Sequence, residues 1–484
     1  MDLRPLLPEL ILGALALGLL VLDLIVGPED QRLVGWTAIG GLAVALIPSA
    51  ALVGGEHYLA VYDTYAIDPF AAFFKIIAIT SGILVTAATM EFFRGRRAAN
   101  EGDIYVLIVF IILGLAVMAA AADLIVLFLA IEWVSLISYV LAGSLKGDRK
   151  GSEAGLKYFF YGAAASAVML YGFTYLYGAA GTTNIYQLAA HLGTAPPAFL
   201  VVAVVLVLAG FGFKISAVPF HQWTPDVYEG APAPIVAFLS VASKAAGFAA
   251  LVRMLYVALP QPAWVGIVAA LSVLSMSLGN LLALSQPNIK RMLAYSAIAH
   301  AGYMLIGVVA VSTAPGVLGS GVSALLYYLL AYVFTNVGAF TVVIAVERAT
   351  GSDAIQDYAG LSRRSPFAAG AMGTFMLALT GIPPTTLFWG KVFLFSAAIQ
   401  TGFLWLAIAG ILNSVVSLYY YVGVIRAMWQ TPGEDRPPEA PAPPVDTPLL
   451  RAVLAVTTAG ALVPGLFPDA LVRFAQAASL LLKL

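Results

Sequence analysis

Cysteine is absent from the 484 residues, which removes disulfides, thiolate metal sites and cysteine-ligated iron–sulfur clusters from consideration. Histidine is nearly as scarce, with four residues at positions 57, 191, 221 and 300. His57 and His191 are expected in loops, and no two histidines share a helix at ligand spacing, so haem or zinc ligation has no support. No P-loop and no G-x-G-x-x-G after a strand is present, which leaves neither ATP nor a dinucleotide an obvious seat. Charge is sparse as well: 10% of residues, with a net value of −1. That balance argues against nucleic acid or an acidic surface as partner.

What fills the chain instead is apolar residues, 61% of the total, where a soluble domain holds about 45–50%. This is the composition of an all-α polytopic membrane protein. Because a membrane-crossing helix needs about 20 mostly apolar residues, the sequence predicts about fourteen spans: 4–26, 33–53, 69–90, 103–121, 123–143, 153–178, 197–219, 232–257, 263–284, 290–311, 317–347, 366–400, 402–428 and 447–466. Residues 1–484 form one transmembrane domain with almost nothing left for a soluble one. The N-terminus has no basic leader and no A-x-A cleavage pattern, and reads as a retained first span. The stretch 431–446, rich in proline and charge, is expected to be a disordered cytoplasmic linker.

Lysine and arginine crowd alternate loops, at Arg32, Arg94–Arg97, Lys146–Lys150, Lys290–Arg291, Arg348–Arg364 and Arg426–Arg436. By the positive-inside rule those loops are cytoplasmic, and both termini are then expected outside. Spans 4–8 (103–257) and 9–13 (263–428) begin on opposite sides, so a repeated five-helix unit would be inverted in space. Each unit carries a proline-marked interruption in its fourth helix, at Pro219 and at Pro383–Pro384. Span 12 is too long for one straight crossing, which predicts broken helices 7 and 12 with a site near the breaks.

Four ionisable groups sit deep in these apolar stretches: Glu132, Lys214, Lys244 and Lys391. Charge at mid-bilayer costs about 2.5–3.5 kcal/mol on insertion scales, so residues kept there are candidates for function rather than decoration. Lys214 precedes the first break, Lys391 follows the second, and Glu132 is expected to pair with Lys214. A lysine and a carboxylate sharing a low-dielectric site can exchange a proton near neutral pH. With His300 they suggest a lateral proton wire bridged by water. The alternative is that they are structural ion pairs gluing helices together, and for His300 an interhelical hydrogen bond. Lys157 is placed to pair with Glu153 one turn earlier. Lys75 and Arg253 are close enough to span ends to snorkel. Glu9 and Asp23 read as interfacial, and TPDVYEGAPAP as a loop.

The strings FLAIEWVSLISYVLAG, EAGLKYFFYGAAASAVMLYGFTYLYG, FGFKISAVPFHQWTPDVYEGAPAPIVAFLSVASKAAGF, KRMLAYSAIAHAGYMLIG, YVFTNVGAF and LTGIPPTTLFWGKVFLF resemble subunit N of proton-pumping NADH:quinone oxidoreductase, respiratory complex I, over essentially the whole chain. SKAAGF, SAIAHAGY and TNVGAF discriminate most. Sister antiporter-like subunits are more distant, as are the Mrp-type cation/proton antiporters and membrane-bound hydrogenase subunits, which remain the alternative. The resemblance implies an antiporter-like fold and a proton channel coupled to quinone reduction elsewhere. Glu132 and Lys214 would be its coupled pair, Lys244 its central lysine and Lys391 the group handing the proton outward, with Lys157 and His300 assisting. It also implies enzyme activity, as a translocase, only within the complex. Flavin, iron–sulfur clusters and quinone would belong to partner membrane and redox subunits, with no cofactor on this chain.

Overall fold

The computed structural model describes residues 3–27, 30–55, 57–94, 101–145, 147–193, 195–310, 321–431 and 447–479. In chain order its helices begin with α1 (Leu7–Ile25) and α2 (Arg32–Ala51), followed by a hairpin of β1 (Tyr58–Ala60) and β2 (Tyr65–Ile67). Then come α3 (Pro69–Phe92), α4 (Glu101–Ala120), α5 (Leu124–Ala142), α6 (Arg149–Ala180), α7 (Ile185–Leu192), α8 (Pro197–Ile215) and α9 (Trp223–Gly230). One continuous span holds α10 (Ala233–Phe238) and α11 (Lys244–Arg253), with π-helical turns at Leu239–Ser243 and Met254–Ala258. The rest are α12 (Val265–Ala283), α13 (Ile289–Val309), α14 (Gly321–Thr350), α15 (Leu361–Arg364), α16 (Pro366–Thr380), α17 (Thr386–Gln400), α18 (Leu404–Trp429), α19 (Pro448–Leu466) and α20 (Asp469–Ala478).

Among the described residues, 13 helices are long and apolar enough to cross a membrane, and the short apolar pair α16 and α17 accounts for the predicted span 12. The helices start where side chains supply the missing backbone acceptors. Asp68, Asp123, Asp148, Asn184 and Asn288 each accept hydrogen bonds from N–H groups of the first turn, which satisfies donors that an apolar surrounding would leave costly. The second interruption follows from Gly381, whose φ of +87° closes the end of α16 in a conformation that side chains resist.

The centre of the assembly is α10–α11, α13 and α14, buried almost throughout, while in α1, α2, α18 and α19 only a third of the residues or fewer are buried. Small residues bring the central helices together. A Cβ at Gly302 would stand 2.6 Å from the Met276 backbone nitrogen, and one at Gly279 2.6 Å from that of Ala299. Side chains at these places would push α12 and α13 apart, so glycine fixes the distance at which α13 is held.

Several expectations are corrected. TPDVYEG is not a loop but the helix α9, and His191 lies in α7. The hairpin β1–β2 was not anticipated. Lys75 and Arg253 do not snorkel: both are buried, Lys75 2.8 Å from Glu9 and Arg253 2.8 Å from Asp68. Glu9 is therefore an internal partner rather than an interfacial charge. The linker expected at 431–446 lies outside the described residues apart from Thr431.

Candidate functional site

The two interruptions create the site because each leaves a lysine at its edge. Lys214 is the last residue but one of α8, which ends at Ser216 with φ +64°. Its amine donates to Ser135 Oγ at 3.2 Å, one turn beyond Glu132 on α5. Glu132 is not in ion-pair contact with Lys214, contrary to expectation, and its buried Oε1 has no hydrogen-bond partner among the described residues. Ser135 therefore stands where the carboxylate was expected. Its signal in the sequence was only its place three residues after Glu132.

The stem of Lys214 packs on α11: a Cβ at Gly247 would lie 3.2 Å from Lys214 Cγ. Three residues earlier on that helix, and directly after the π-helical turn, is Lys244, 1% exposed, whose amine donates to the carbonyl oxygen of Ala297 at 2.6 Å. π-turns leave backbone groups out of the regular ladder and recur at functional positions. On the same segment Ser240 accepts a hydrogen bond of 2.6 Å from Asn336 Nδ2, while Asn336 Oδ1 is buried without a hydrogen-bond partner among the described residues. Asn336 lies in the string TNVGAF, which was noticed as a family signature but not as part of a site.

From Ala297 the row continues along α13. His300, one turn on, shares hydrogen bonds with the hydroxyl groups of Tyr328 on α14 (2.6 Å, at Nδ1) and Tyr421 on α18 (3.1 Å, at Nε2). Another turn on, Tyr303 offers its ring face to the amine of Lys391, 4.6 Å from the centroid. A ring face attracts a cation without forming an ion pair. Lys391 Nζ also donates to the carbonyls of Leu379 (3.1 Å) and Thr380 (2.7 Å), the open end of α16.

Lys214, Lys244, His300 and Lys391, on α8, α11, α13 and α17, are thus connected indirectly, through Gly247, Ala297 and Tyr303, with Glu132 one turn before Ser135 on α5. None of the three lysines has a carboxylate within ion-pair distance among the described residues. Each amine is satisfied by neutral oxygens or a ring, so its proton is held without a fixed counter-charge. That arrangement can take up and release a proton with little rearrangement of ion pairs.

Lys157 stands apart. Its amine bonds Glu153 (2.7 Å) and Asp226 (2.6 Å) in a half-exposed network with Lys150, Glu229 and Arg291 that ties α6, α9 and α13. Partial burial pushes the Asp226 carboxyl up, but hydrogen bonds from Lys157 and Arg291 outweigh it and hold the group below its usual value. The carboxyl of Glu229 behaves alike, with Lys150 and Arg291 as the donors. The network lines a cavity of about 110 Å³. Among the described residues no group of three His, Cys, Asp or Glu side chains could hold a metal ion.

Residues 121–417 match a protein family described as NADH:quinone oxidoreductase/Mrp antiporter, TM. The NADH-quinone oxidoreductase subunit N of Trichlorobacter lovleyi is 43% identical, covering 99% of this chain and 97% of the relative. Respiratory complex I of Thermus thermophilus, solved with bound aureothin, contains a chain of similar structure, with a TM-score of 0.81, 33% identity and coverage of 97% of this chain and 99% of that one. A chain of the Mrp complex from Dietzia superposes with a TM-score of 0.84 at 21% identity, covering 99% and 97%, a likeness of fold.

Proposed function

We propose, from the premise that this chain belongs to the subunit N family of NADH-quinone oxidoreductase, that its lateral series of buried amines carries protons across the membrane in step with redox chemistry on other subunits. The chain has the antiporter-like fold and is a membrane component of a multi-subunit complex. The Mrp-type alternative gives way to the close relatives, since the Dietzia likeness extends to fold alone.

The observation that carries the proposal is that Lys214, Lys244 and Lys391 are each buried and bonded to neutral acceptors. A structural role would favour close ion pairs, as at Arg253–Asp68; the lysines of the series lack them. In this reading Glu132 and Lys214 set the charge at one end, Lys244 with His300 forms the middle and Lys391 delivers the proton outward. Lys157 belongs to the cytoplasmic network and supports the entrance. Paired inverted units at 103–257 and 263–428 would account for the two breaks, and the loop charges support both termini lying outside. The lack of cysteine supports placing iron–sulfur clusters on partner subunits, where flavin and the quinone site would also lie, with sister antiporter-like subunits among the membrane neighbours.

Lys244→Ala in the assembled complex tests the function. Proton uptake into vesicles should fall at least tenfold relative to electron transfer, as expected when a proton-transfer group is removed, roughly a 10²–10⁴-fold contributor. Undiminished pumping with the complex intact would overturn the proposal.

A further inference from the structure

We propose that the last long span, α19, acts as a clasp: the Gly460 carbonyl freed by its internal proline, together with carbonyls of its last turn, holds the start of α17 and so sets where Lys391 stands. This rests on the reading of Lys391 as a proton-transfer group, and Thr386 is assigned here as a positioning residue. The family match ends at residue 417, before α19 begins.

Pro464 lies inside α19 and has no N–H, so the carbonyl of Gly460 one turn earlier loses its regular partner. The hydroxyl of Thr386, the first residue of α17, donates to that carbonyl at 3.0 Å and equally to the carbonyl of Ala461. Trp389 Nε1, one turn on, donates to the carbonyl of Gly465 at 2.9 Å. On α14, the Tyr327 hydroxyl donates to the carbonyl of Pro464 at 3.3 Å. In an apolar surrounding these oxygens would otherwise be expensive to leave bare. The side chain of Thr386 thus fills the gap left by Pro464, and Trp389 and Tyr327 satisfy carbonyls at the open end of α19.

Backbone approach completes the contact. A Cβ at Gly465 would fall 1.9 Å from the carbonyl oxygen of Pro384 and 2.7 Å from the Thr386 nitrogen. The break therefore rests directly on α19, and only glycine permits it. Lys391 follows Thr386 by five residues, about one and a half turns or 7.5 Å along α17. Rotation or slip at Thr386 is transmitted to the amine, whose bonds to Leu379 and Thr380 leave little tolerance.

The test uses the whole complex with Thr386→Val, Thr386→Ser and Pro464→Ala, alone and combined, and reads both hydrogen exchange of residues 386–400 and the ratio of protons pumped to electrons transferred. Thr386→Val should raise exchange in this segment about fivefold, the factor a net hydrogen bond supplies, and lower the ratio, while Thr386→Ser restores both. Because Pro464→Ala returns an N–H to the Gly460 carbonyl, the double variant should be no worse than Thr386→Val alone. Unchanged exchange in Thr386→Val overturns the clasp whatever pumping does. Raised exchange with an unchanged ratio upholds the clasp as a contact but overturns its service to Lys391; if Lys391→Ala likewise leaves pumping intact, the reading of Lys391 fails separately.

Discussion

Lys391 Nζ stands 2.7 Å from the carbonyl oxygen of Thr380, so the amine on one half of a broken helix closes the carbonyl end of the other half. A cation at a helix C-terminus is favoured by the exposed carbonyls and by the aligned peptide dipoles. Lys214 sits at its own interruption differently: it belongs to the helix that ends there and reaches sideways to Ser135 on α5. The two lysines therefore share a position relative to a break but not a mode of support. Lys391 is held by backbone, and Lys214 by one side chain that can be removed.

Gly381 is the residue on which the Lys391 arrangement turns. Its φ of +87° is strained for any side chain, and a Cβ there would stand 2.8 Å from Lys391 Cδ. Gly381→Ala should cost about 1–2 kcal/mol from the backbone alone and displace the amine from Thr380. Thermal unfolding of the purified complex and its proton-to-electron ratio should both fall. A variant with normal pumping would mean that the amine tolerates displacement.

Ser135→Ala removes the one hydrogen bond to Lys214 without altering any charge. A net contribution of about 1 kcal/mol translates to roughly a fivefold change in equilibrium. Vesicle pumping should drop by about that factor, with the amount of assembled complex unchanged, and Ser135→Thr should recover most of it. If Ser135→Ala pumps like the parent, Lys214 is held by something other than this hydroxyl.

Much of this was legible in the sequence because a bilayer imposes simple rules. Apolar length gave the spans, and Pro219 and Pro383–Pro384 marked both interruptions. The lysines at 214, 244 and 391 and His300 are buried, as their apolar surroundings in the sequence suggest. Contacts between helices distant in sequence were not legible. Nothing at position 9 announces that Glu9 meets Lys75, and nothing at Asp68 names Arg253, since each pair is formed by helix packing rather than by local spacing. Ser135 and Ala297 escaped for a different reason: one is a common small residue and the other contributes only its backbone. The helix α9 was missed because its proline and glycine content reads as turn, whereas Pro225 occupies the first turn of a helix where its missing N–H does no harm.

Arg253 and Asp68 form a buried pair of two hydrogen bonds, with Tyr186 and the Ala119 carbonyl satisfying further guanidinium donors. It joins the end of α11 to the start of α3. Removing one partner strands the other charge, at a typical cost of about 3–5 kcal/mol. Arg253→Leu or Asp68→Leu should therefore lower the amount of assembled complex sharply. The double variant should regain much of the loss, because two apolar side chains leave no orphan charge. Blue-native gels quantify this, and a double variant as poor as the worse single would show that Tyr186 and Ala119 matter more than the ion pair.

The network of Asp226 and Glu229 with Lys150, Lys157 and Arg291 has a pH signature whose sign is fixed. Both carboxyls are held below their usual values, by hydrogen bonds that outweigh the opposing effect of partial burial. The folded protein thus binds these protons more weakly than the unfolded chain. Their stabilisation is complete above the ordinary carboxylate values of about 4 and is lost as pH falls through the lower folded values. Near neutral pH these groups add no slope. Hydrogen exchange of residues 223–230, followed from roughly pH 7 to pH 3 with rates corrected for intrinsic pH dependence, should show protection steady at first and then lost. Asp226→Asn keeps the shape but not the charge, so it should start with less protection and lose less of it on acidification. Protection that grows as the pH drops, or an Asp226→Asn profile identical to the parent's, would remove the network as the tie between α6, α9 and α13.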